Sequence, residues 1–99
     1  MKGRSLVIRA EAYADAEEAR EHYRTINPSL GTQFLSRLND AVTLVHEFPE
    51  HFGVAWRNVR AKRLKKFPYV VYYRIHASFV EIIATMHGSR DPSAWQSRV

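Results

Sequence analysis

The chain has 99 residues, of which 45% are hydrophobic and 12% aromatic, with only four Gly and four Pro. A sequence of this size and composition can bury one apolar core, so we expect a single domain over residues 1–99 and exclude two folded domains, a disordered tail or a fibrous repeat. Cysteine is absent, which excludes disulfides and a thiol nucleophile and is typical of a reducing cytoplasm.

Positive charge is concentrated in the second half of the chain. The net charge is +5, but residues 1–50 sum to −2 and residues 51–99 to +7. Six cations with no intervening acid form what we call the basic cluster: Arg57, Arg60, Lys62, Arg63, Lys65 and Lys66. This cluster predicts an anionic partner, either nucleic acid or an acidic protein.

The first predicted element is a short strand. Leu6, Ile8 and Ala10 alternate with charged residues, which is the period of a half-buried strand. The apolar run ends at Arg9, too early for a signal peptide or a membrane span. We therefore expect a cytoplasmic protein that does not enter a membrane.

Two helices follow. Helical spacing of apolar residues predicts a first helix from about Tyr13 to Ile26, with Asp15 and Glu18 as a capping box. Asn27 followed by Pro28 predicts the start of a second helix, whose apolar stripe runs to Pro49. Two helices joined this tightly form an antiparallel hairpin.

A β-hairpin is predicted next. A two-residue turn at Ala77 and Ser78 would give a regular register with these pairs: Ile75 with Val80, Tyr73 with Ile82, Val71 with Ala84, Tyr69 with Met86, and, on the other face, Arg74 with Glu81 and Tyr72 with Ile83. Ala-Ser is not a favoured two-residue turn, so the alternative is a longer loop with the register shifted by two residues.

The remaining segments complete the sheet and the tail. Asn58 to Phe67 predicts a third strand with a bulge between Ala61 and Leu64. Asp91 and Pro92 have the chemistry of a helix start. Trp56 and Trp95 are expected to close the core. The predicted fold is α+β: an N-terminal strand, an antiparallel helical hairpin packed on a curved antiparallel sheet that ends in a three-strand meander, and a short C-terminal helix.

Several segments together resemble the RelE/ParE toxin superfamily, on its ParE-like or plasmid-stabilisation side. The resemblance runs nearly end to end and rests on these pieces: Ala12 to Asp15 with Tyr23, Asn27-Pro28, Phe34 to Leu44, Phe48-Pro49-Glu50, Val59-Arg60, Leu64 to Ile75, and His87 to Pro92 with Trp95 and Arg98. The Phe-Pro-Tyr strand followed by His-Gly-x-Arg-Asp-Pro is the most specific combination.

The resemblance implies a toxin of a bacterial type II toxin-antitoxin system that arrests growth when free and is neutralised by a cognate antitoxin in a hetero-oligomer. Its ParE-like side implies poisoning of DNA gyrase without a comparable enzymatic site. RelE-like members instead resemble ribosome-dependent ribonucleases that cut mRNA. A non-toxic relic that still binds nucleic acid or an antitoxin is a third possibility.

The ribonuclease hypothesis depends on four specific residues. RNA cleavage by the 2′-hydroxyl needs positive charge on the phosphate and groups that move protons. Arg60, Lys62, His87 and Arg90 would supply them in a metal-independent endoribonuclease. His87 is expected on the face of its strand opposite the core. Arg74 has a competing role as the cross-strand partner of Glu81.

The basic cluster allows three interpretations. It could be a charged strand edge that prevents edge pairing, a surface for nucleic acid or the target complex, or the seat of an acidic antitoxin segment. The histidines have no spacing typical of a metal site, so neither a metal nor another cofactor is expected.

Overall fold

Five strands and three helices make up residues 3–99, the part of the chain that the computed structural model describes. In chain order the elements are β1 (Ser5–Ile8), α1 (Ala10–Ile26), α2 (Pro28–Glu47), a 3-10 turn (Pro49–His51), β2 (Val54–Trp56), β3 (Val59–Arg63), β4 (Tyr69–Ile75), β5 (Phe79–His87) and α3 (Ser93–Gln96).

The strands form one sheet in the order β1-β5-β4-β3-β2. The predicted α+β class, the N-terminal strand, the helical hairpin on the sheet and the short last helix are confirmed. The sheet is mixed and not wholly antiparallel as expected, because β1 lies parallel to β5. The short β2 strand was not predicted, and it pairs antiparallel with β3.

Of the predicted caps of the two long helices, one is confirmed and one is wrong. Asn27 caps α2 as predicted, since its Oδ1 accepts a hydrogen bond from the Ser29 amide at 2.9 Å. The predicted capping box of α1 is wrong: the helix begins at Ala10, and Asp15 lies in its second turn. Asp15 instead points at the sheet, where its Oδ2 accepts from the Thr85 amide at 3.1 Å.

The helices cover one face of the sheet, here called the helix side. Phe34 of α2 is fully buried and packs against Phe67 and Tyr69, and Tyr23 of α1 joins the same aromatic group. The predicted inward row of β4 belongs to this core and consists of Tyr69, Val71, Tyr73 and Ile75. Tyr73 is fully buried there and donates a 2.6 Å hydrogen bond to the Pro49 carbonyl, while burial raises its pKa to about 12.

The opposite face, here called the far face, carries a second core. Its members are Trp56, Val59, Ala61, Val70, Tyr72, Ile83, Ala84, Met86, Ala94 and Trp95. Trp95 is 4% exposed and stacks on Tyr72 with ring centroids 4.2 Å apart. Both tryptophans therefore pack against a hydrophobic core, as expected. This core is the one on the far face, and the C-terminal tail covers it.

The register of β4 and β5 follows the prediction for half its length. Ile75 pairs with Val80, Arg74 with Glu81 and Tyr73 with Ile82, as the two-residue turn requires. A bulge follows, and beyond it the observed pairs are Tyr72 with Ala84, Val71 with Thr85, Val70 with Met86 and Tyr69 with His87. The predicted pairs of Tyr72, Val71 and Tyr69 are wrong because Ile83 is an extra residue in β5.

The predicted bulge in the third strand is also wrong. β3 pairs with β4 in unbroken register and ends at Arg63. Leu64 to Pro68 form the connecting loop, in which Lys66 has a positive φ of 71°. The change of apolar parity between Ala61 and Leu64 therefore marks the end of the strand.

Candidate functional site

The basic cluster divides between the two faces of the sheet. Arg60 and Lys62 pair with Tyr73 and Val71, and paired residues in neighbouring strands share a face, so both lie on the helix side. Arg63 pairs with Val70 and lies on the far face.

The other three members lie in the flanking turns. Lys65 and Lys66 are exposed in the β3–β4 loop. Arg57, in the β2–β3 turn with a φ of 52°, holds its guanidinium 4.3 Å from the Trp56 ring centroid. The cluster therefore surrounds β3, the strand next to the β2 edge of the sheet.

Arg60 has a structural role. Its guanidinium donates hydrogen bonds to the carbonyls of Phe52 at 2.7 Å and Glu50 at 3.3 Å. These bonds fasten the segment between α2 and β2 to β3. A phosphate bound by Arg60 would compete with these two carbonyls for the guanidinium.

A groove about 370 Å³ in volume opens between α2 and the end of β3, and we call it the basic groove. Its lining consists of Arg37, Asp40, Ala41, Thr43, Leu44, Lys62, Arg63 and Lys65. The lining thus contains four cations and one acid, with Arg63, whose strand position lies on the far face, bordering the groove at the end of β3. Arg37 was missed by the sequence analysis, because its position one turn from Ala41 has meaning only once β3 lies beside the helix.

Ion pairing distinguishes the basic groove from helix α1. The two arginines of α1 are paired with carboxylates, Arg20 with Glu17 and Arg24 with Glu21. Within residues 3–99, none of the four groove cations lies within 4.0 Å of a carboxylate oxygen. Lys62 donates only to the Arg63 carbonyl, at 3.1 Å. The groove therefore keeps its positive potential for an outside partner.

His87 and Arg90 lie at a different place. The bulge in β5 shifts the parity of its last residues, so His87 lies on the helix side and not on the exposed face that the sequence predicted. It contacts the edge of Tyr69 at a centroid distance of 5.4 Å. With Arg90 it lines a second cavity of about 280 Å³ beside α1, together with Glu18 and His22.

Hydrogen bonding holds the His87 ring in place. The Ser89 backbone N–H donates to Nδ1 at 3.0 Å, and the Ser89 hydroxyl lies 2.8 Å from the same atom. His87 therefore stabilises the turn after β5.

The four residues of the ribonuclease hypothesis are therefore not brought together. Lys62 lies beside α2 and Arg60 binds the segment after α2, whereas His87 and Arg90 lie beside α1. The packed rings of Phe34, Phe67 and Tyr69 fill the space between the two helices and the sheet. Lys62 therefore lines one cavity, and His87 and Arg90 line another.

The predicted pair of Arg74 and Glu81 is confirmed, with Nη2 and Oε1 3.0 Å apart. The Glu81 carboxylate also lies 2.8 Å from His76 Nε2 and 3.5 Å from Arg9 Nη1. Burial alone would raise the pKa of Glu81, but hydrogen bonds from His76 and Arg74 outweigh it and hold this pKa below the usual range. Arg74 is therefore committed to the fold of the hairpin.

Two further features bear on function. Residues 3–99 contain no group of three or more His, Cys, Asp or Glu side chains placed to hold a metal ion. No helix in the same range combines the length and the apolar character needed to cross a bilayer.

Comparison with known proteins identifies the fold. A family model described as the ParE toxin of the type II toxin-antitoxin system, parDE, matches residues 6–92. Among solved structures, the chain resembles one from the chromosomal ParDE TA system of P. aeruginosa, with a TM-score of 0.77 and 18% identity over 88% of this chain and 98% of that one. Comparison with curated proteins finds no significant match.

Proposed function

This chain belongs to the ParE toxin family of type II toxin-antitoxin systems, and we propose that it arrests bacterial growth by poisoning DNA gyrase until a cognate antitoxin binds it. The proposal goes beyond family membership in three respects: the target, the surface that meets it, and the way in which the antitoxin neutralises that surface.

The basic groove is the observation that carries the proposal. Its four cations have no carboxylate partner in the described chain, whereas exposed arginines of α1 are paired. Positive charge without compensation raises the potential of a cleft and speeds association with an anionic partner. A gyrase complex that holds DNA presents such a partner, and the exposed Lys65 and Lys66 extend the charged surface towards it.

The separation of the ribonuclease residues favours gyrase over mRNA. Cleavage of RNA needs a base, an acid and positive charge around one phosphate. Arg60 is bound to two carbonyls and His87 to Ser89, at opposite sides of the aromatic core. Because proton transfer acts only over hydrogen-bond distances, this arrangement lacks the grouping that cleavage requires.

The basic groove also suits an antitoxin. The exposed Leu44 and the small Ala41 give it an apolar floor between charged walls, which fits an amphipathic segment with acidic side chains. An antitoxin that covers this groove would neutralise the charge needed for the target. The toxin would then be inactive in the toxin-antitoxin hetero-oligomer.

The decisive experiment measures supercoiling by purified gyrase and accumulation of cleaved DNA as this protein is added. We expect inhibition, and we expect Lys65→Glu combined with Lys66→Glu to weaken it about 10-fold or more at low salt. The defect should shrink as salt screens the groove, since the Debye length falls from about 10 Å at 0.1 M to about 3 Å at 1 M.

Arg20→Glu combined with Arg24→Glu is the matched control. It changes the net charge by the same amount on α1, where both arginines form ion pairs of small energetic value. Equal losses in the two double variants would contradict a specific role for the groove. Cut mRNA with unaffected gyrase would instead indicate a ribonuclease, and unchanged growth on expression would indicate a non-toxic relic.

A further inference from the structure

The outer edge of β5 is uncovered beyond the bulge. β1 pairs with β5 only from Phe79 to Ile82 and ends at Ile8. The bulge at Ile83 comes next, so the backbone groups there meet neither a neighbouring strand nor a regular ladder. Unpaired backbone groups at a half-buried edge need other partners.

Two charged side chains from opposite ends of the chain supply those partners. Asp15 of α1 accepts from the Thr85 amide, and Arg98 donates to the Ile83 carbonyl at 3.1 Å. Arg98 also binds both Asp15 oxygens, with Nη1 to Oδ2 at 2.7 Å and Nη2 to Oδ1 at 3.0 Å. The two side chains are largely shielded, with 13% of Asp15 and 20% of Arg98 exposed.

Arg98 lies on the segment that closes the far face. We call residues 89–99 the C-terminal arm; its α3 turn holds Trp95 against Tyr72 and near Trp56. Arg9, at the start of α1, donates a 2.7 Å hydrogen bond to the Arg98 carbonyl. The end of the arm is therefore bound through both its side chain and its backbone.

Apart from the bonds of Arg98, few features of the arm stabilise its contact with the sheet. Trp95 Nε1 is buried without a hydrogen-bond partner among the described residues, and a buried unpaired donor opposes closure. The α3 helix has only four residues, so it has little stability of its own. Closure of the arm must therefore depend on stacking of Trp95 and on the bonds of Arg98.

We propose that Asp15 and Arg98 form a latch that holds the C-terminal arm closed over the far face, and that the arm opens as one unit when the latch is broken. Opening uncovers the apolar surface around Trp56, Tyr72 and Ile83 while the helix side stays folded. Arg98 belongs to the arm itself, and Asp15 binds it from α1, so the two residues act by fixing the position of the arm.

The latch has a direction, which distinguishes it from a simple ion pair. The bulge presents a donor, the Thr85 N–H, to Asp15 and an acceptor, the Ile83 carbonyl, to Arg98. The exchange of the two residues, Asp15→Arg with Arg98→Asp, keeps the two charges opposite. It places an arginine donor against the Thr85 N–H and an aspartate acceptor against the Ile83 carbonyl. A simple ion pair would be rescued by this exchange, and the latch would not.

The test combines native-state amide hydrogen exchange with tryptophan emission on the full chain. In Arg98→Ala and Asp15→Ala we expect exchange in residues 93–99 to rise at least 10-fold, and the emission of Trp56 and Trp95 to shift to longer wavelength. The amides of β4 should stay protected. The exchanged double variant should behave like Arg98→Ala, and Arg24→Ala, which removes an exposed pair with Glu21, should behave like the wild type.

The wild-type protein provides a measurement that does not depend on any variant folding. Amides of the arm should exchange through an opening that leaves β4 protected. Exchange of the arm only together with β4 would overturn the proposal. Full rescue by the charge exchange, or unchanged arm protection in a folded Arg98→Ala, would also overturn it.

Discussion

The two faces of the sheet are covered in different ways. On the helix side, two long helices pack a continuous apolar surface against the sheet, and the side chains of this core are aliphatic or aromatic. On the far face, a tail with one turn of helix covers a smaller core. Around this tail lie the Asp15–Arg98 pair and the cluster of Glu81 with Arg9, Arg74 and His76.

The difference shows that the helix pair and the C-terminal tail are held on the sheet by different interactions. Burial of apolar area contributes roughly 25 cal/mol per Å², which suffices to dock a pair of helices. A tail of eleven residues buries too little area and is held by directional bonds at its end instead. Substitutions on the helix side should therefore affect the whole fold, and substitutions on the far face should act locally.

Phe34→Ala should have the largest effect on stability. The ring is fully buried between the helices and the sheet, and its removal leaves a cavity that costs about 3–5 kcal/mol. Urea unfolding should show this loss as a lower midpoint with an unchanged slope. A loss below about 1 kcal/mol would mean that the helix side is not the main source of stability.

Trp95→Ala should cost less although the side chain is larger. Once the arm is open, the substitution has no further effect on the rest of the fold, so the loss is limited to the free energy of closing the arm and stays below the value of about 3–5 kcal/mol expected for Phe34→Ala. Urea unfolding compared with Phe34→Ala is the measurement. A loss as large as that of Phe34→Ala would show that both faces unfold as one unit.

Glu81→Gln should have the smallest effect, and the effect should depend on pH. Because the pKa of Glu81 in the folded protein lies below its ordinary value of 4.5, the ionised carboxylate stabilises the fold above that pH. The contribution is lost as pH falls through the depressed pKa.

Wild type and Glu81→Gln should therefore differ by about 1 kcal/mol at pH 7, and the difference should shrink in acid. Thermal unfolding between pH 7 and pH 3 measures it. A constant difference over this range would show that Glu81 acts through packing and not through its charge.

The local features were predictable from sequence because they depend on neighbouring residues. Asn27 and Pro28 predicted the start of α2, and the spacing of Tyr69, Val71, Tyr73 and Ile75 predicted the inward row of β4. The pairing of Arg74 with Glu81 also followed, since it lies close to a two-residue turn. The resemblance to ParE-like toxins rested on such local motifs and is confirmed.

The candidate site was predictable only in part. The basic cluster could be read as a charged segment, but its division between two faces needed the register of β3 against β4. Arg37 joins the groove from a helix 25 residues earlier than Lys62. The role of the cluster as a target surface stays a prediction, to be tested with the lysine variants.

The sequence by itself determined where the two long helices and the β4–β5 hairpin form, which side of each helix is apolar, and where positive charge collects, because these depend on periods of two to four residues. The tertiary structure decided the rest. A bulge at Ile83 is hidden from the pattern because Ile82, Ile83 and Ala84 are all apolar, yet it moves His87 to the helix side. The pairing of Asp15 with Arg98 spans 83 positions, a distance over which only the folded sheet can bring an acid and a base together.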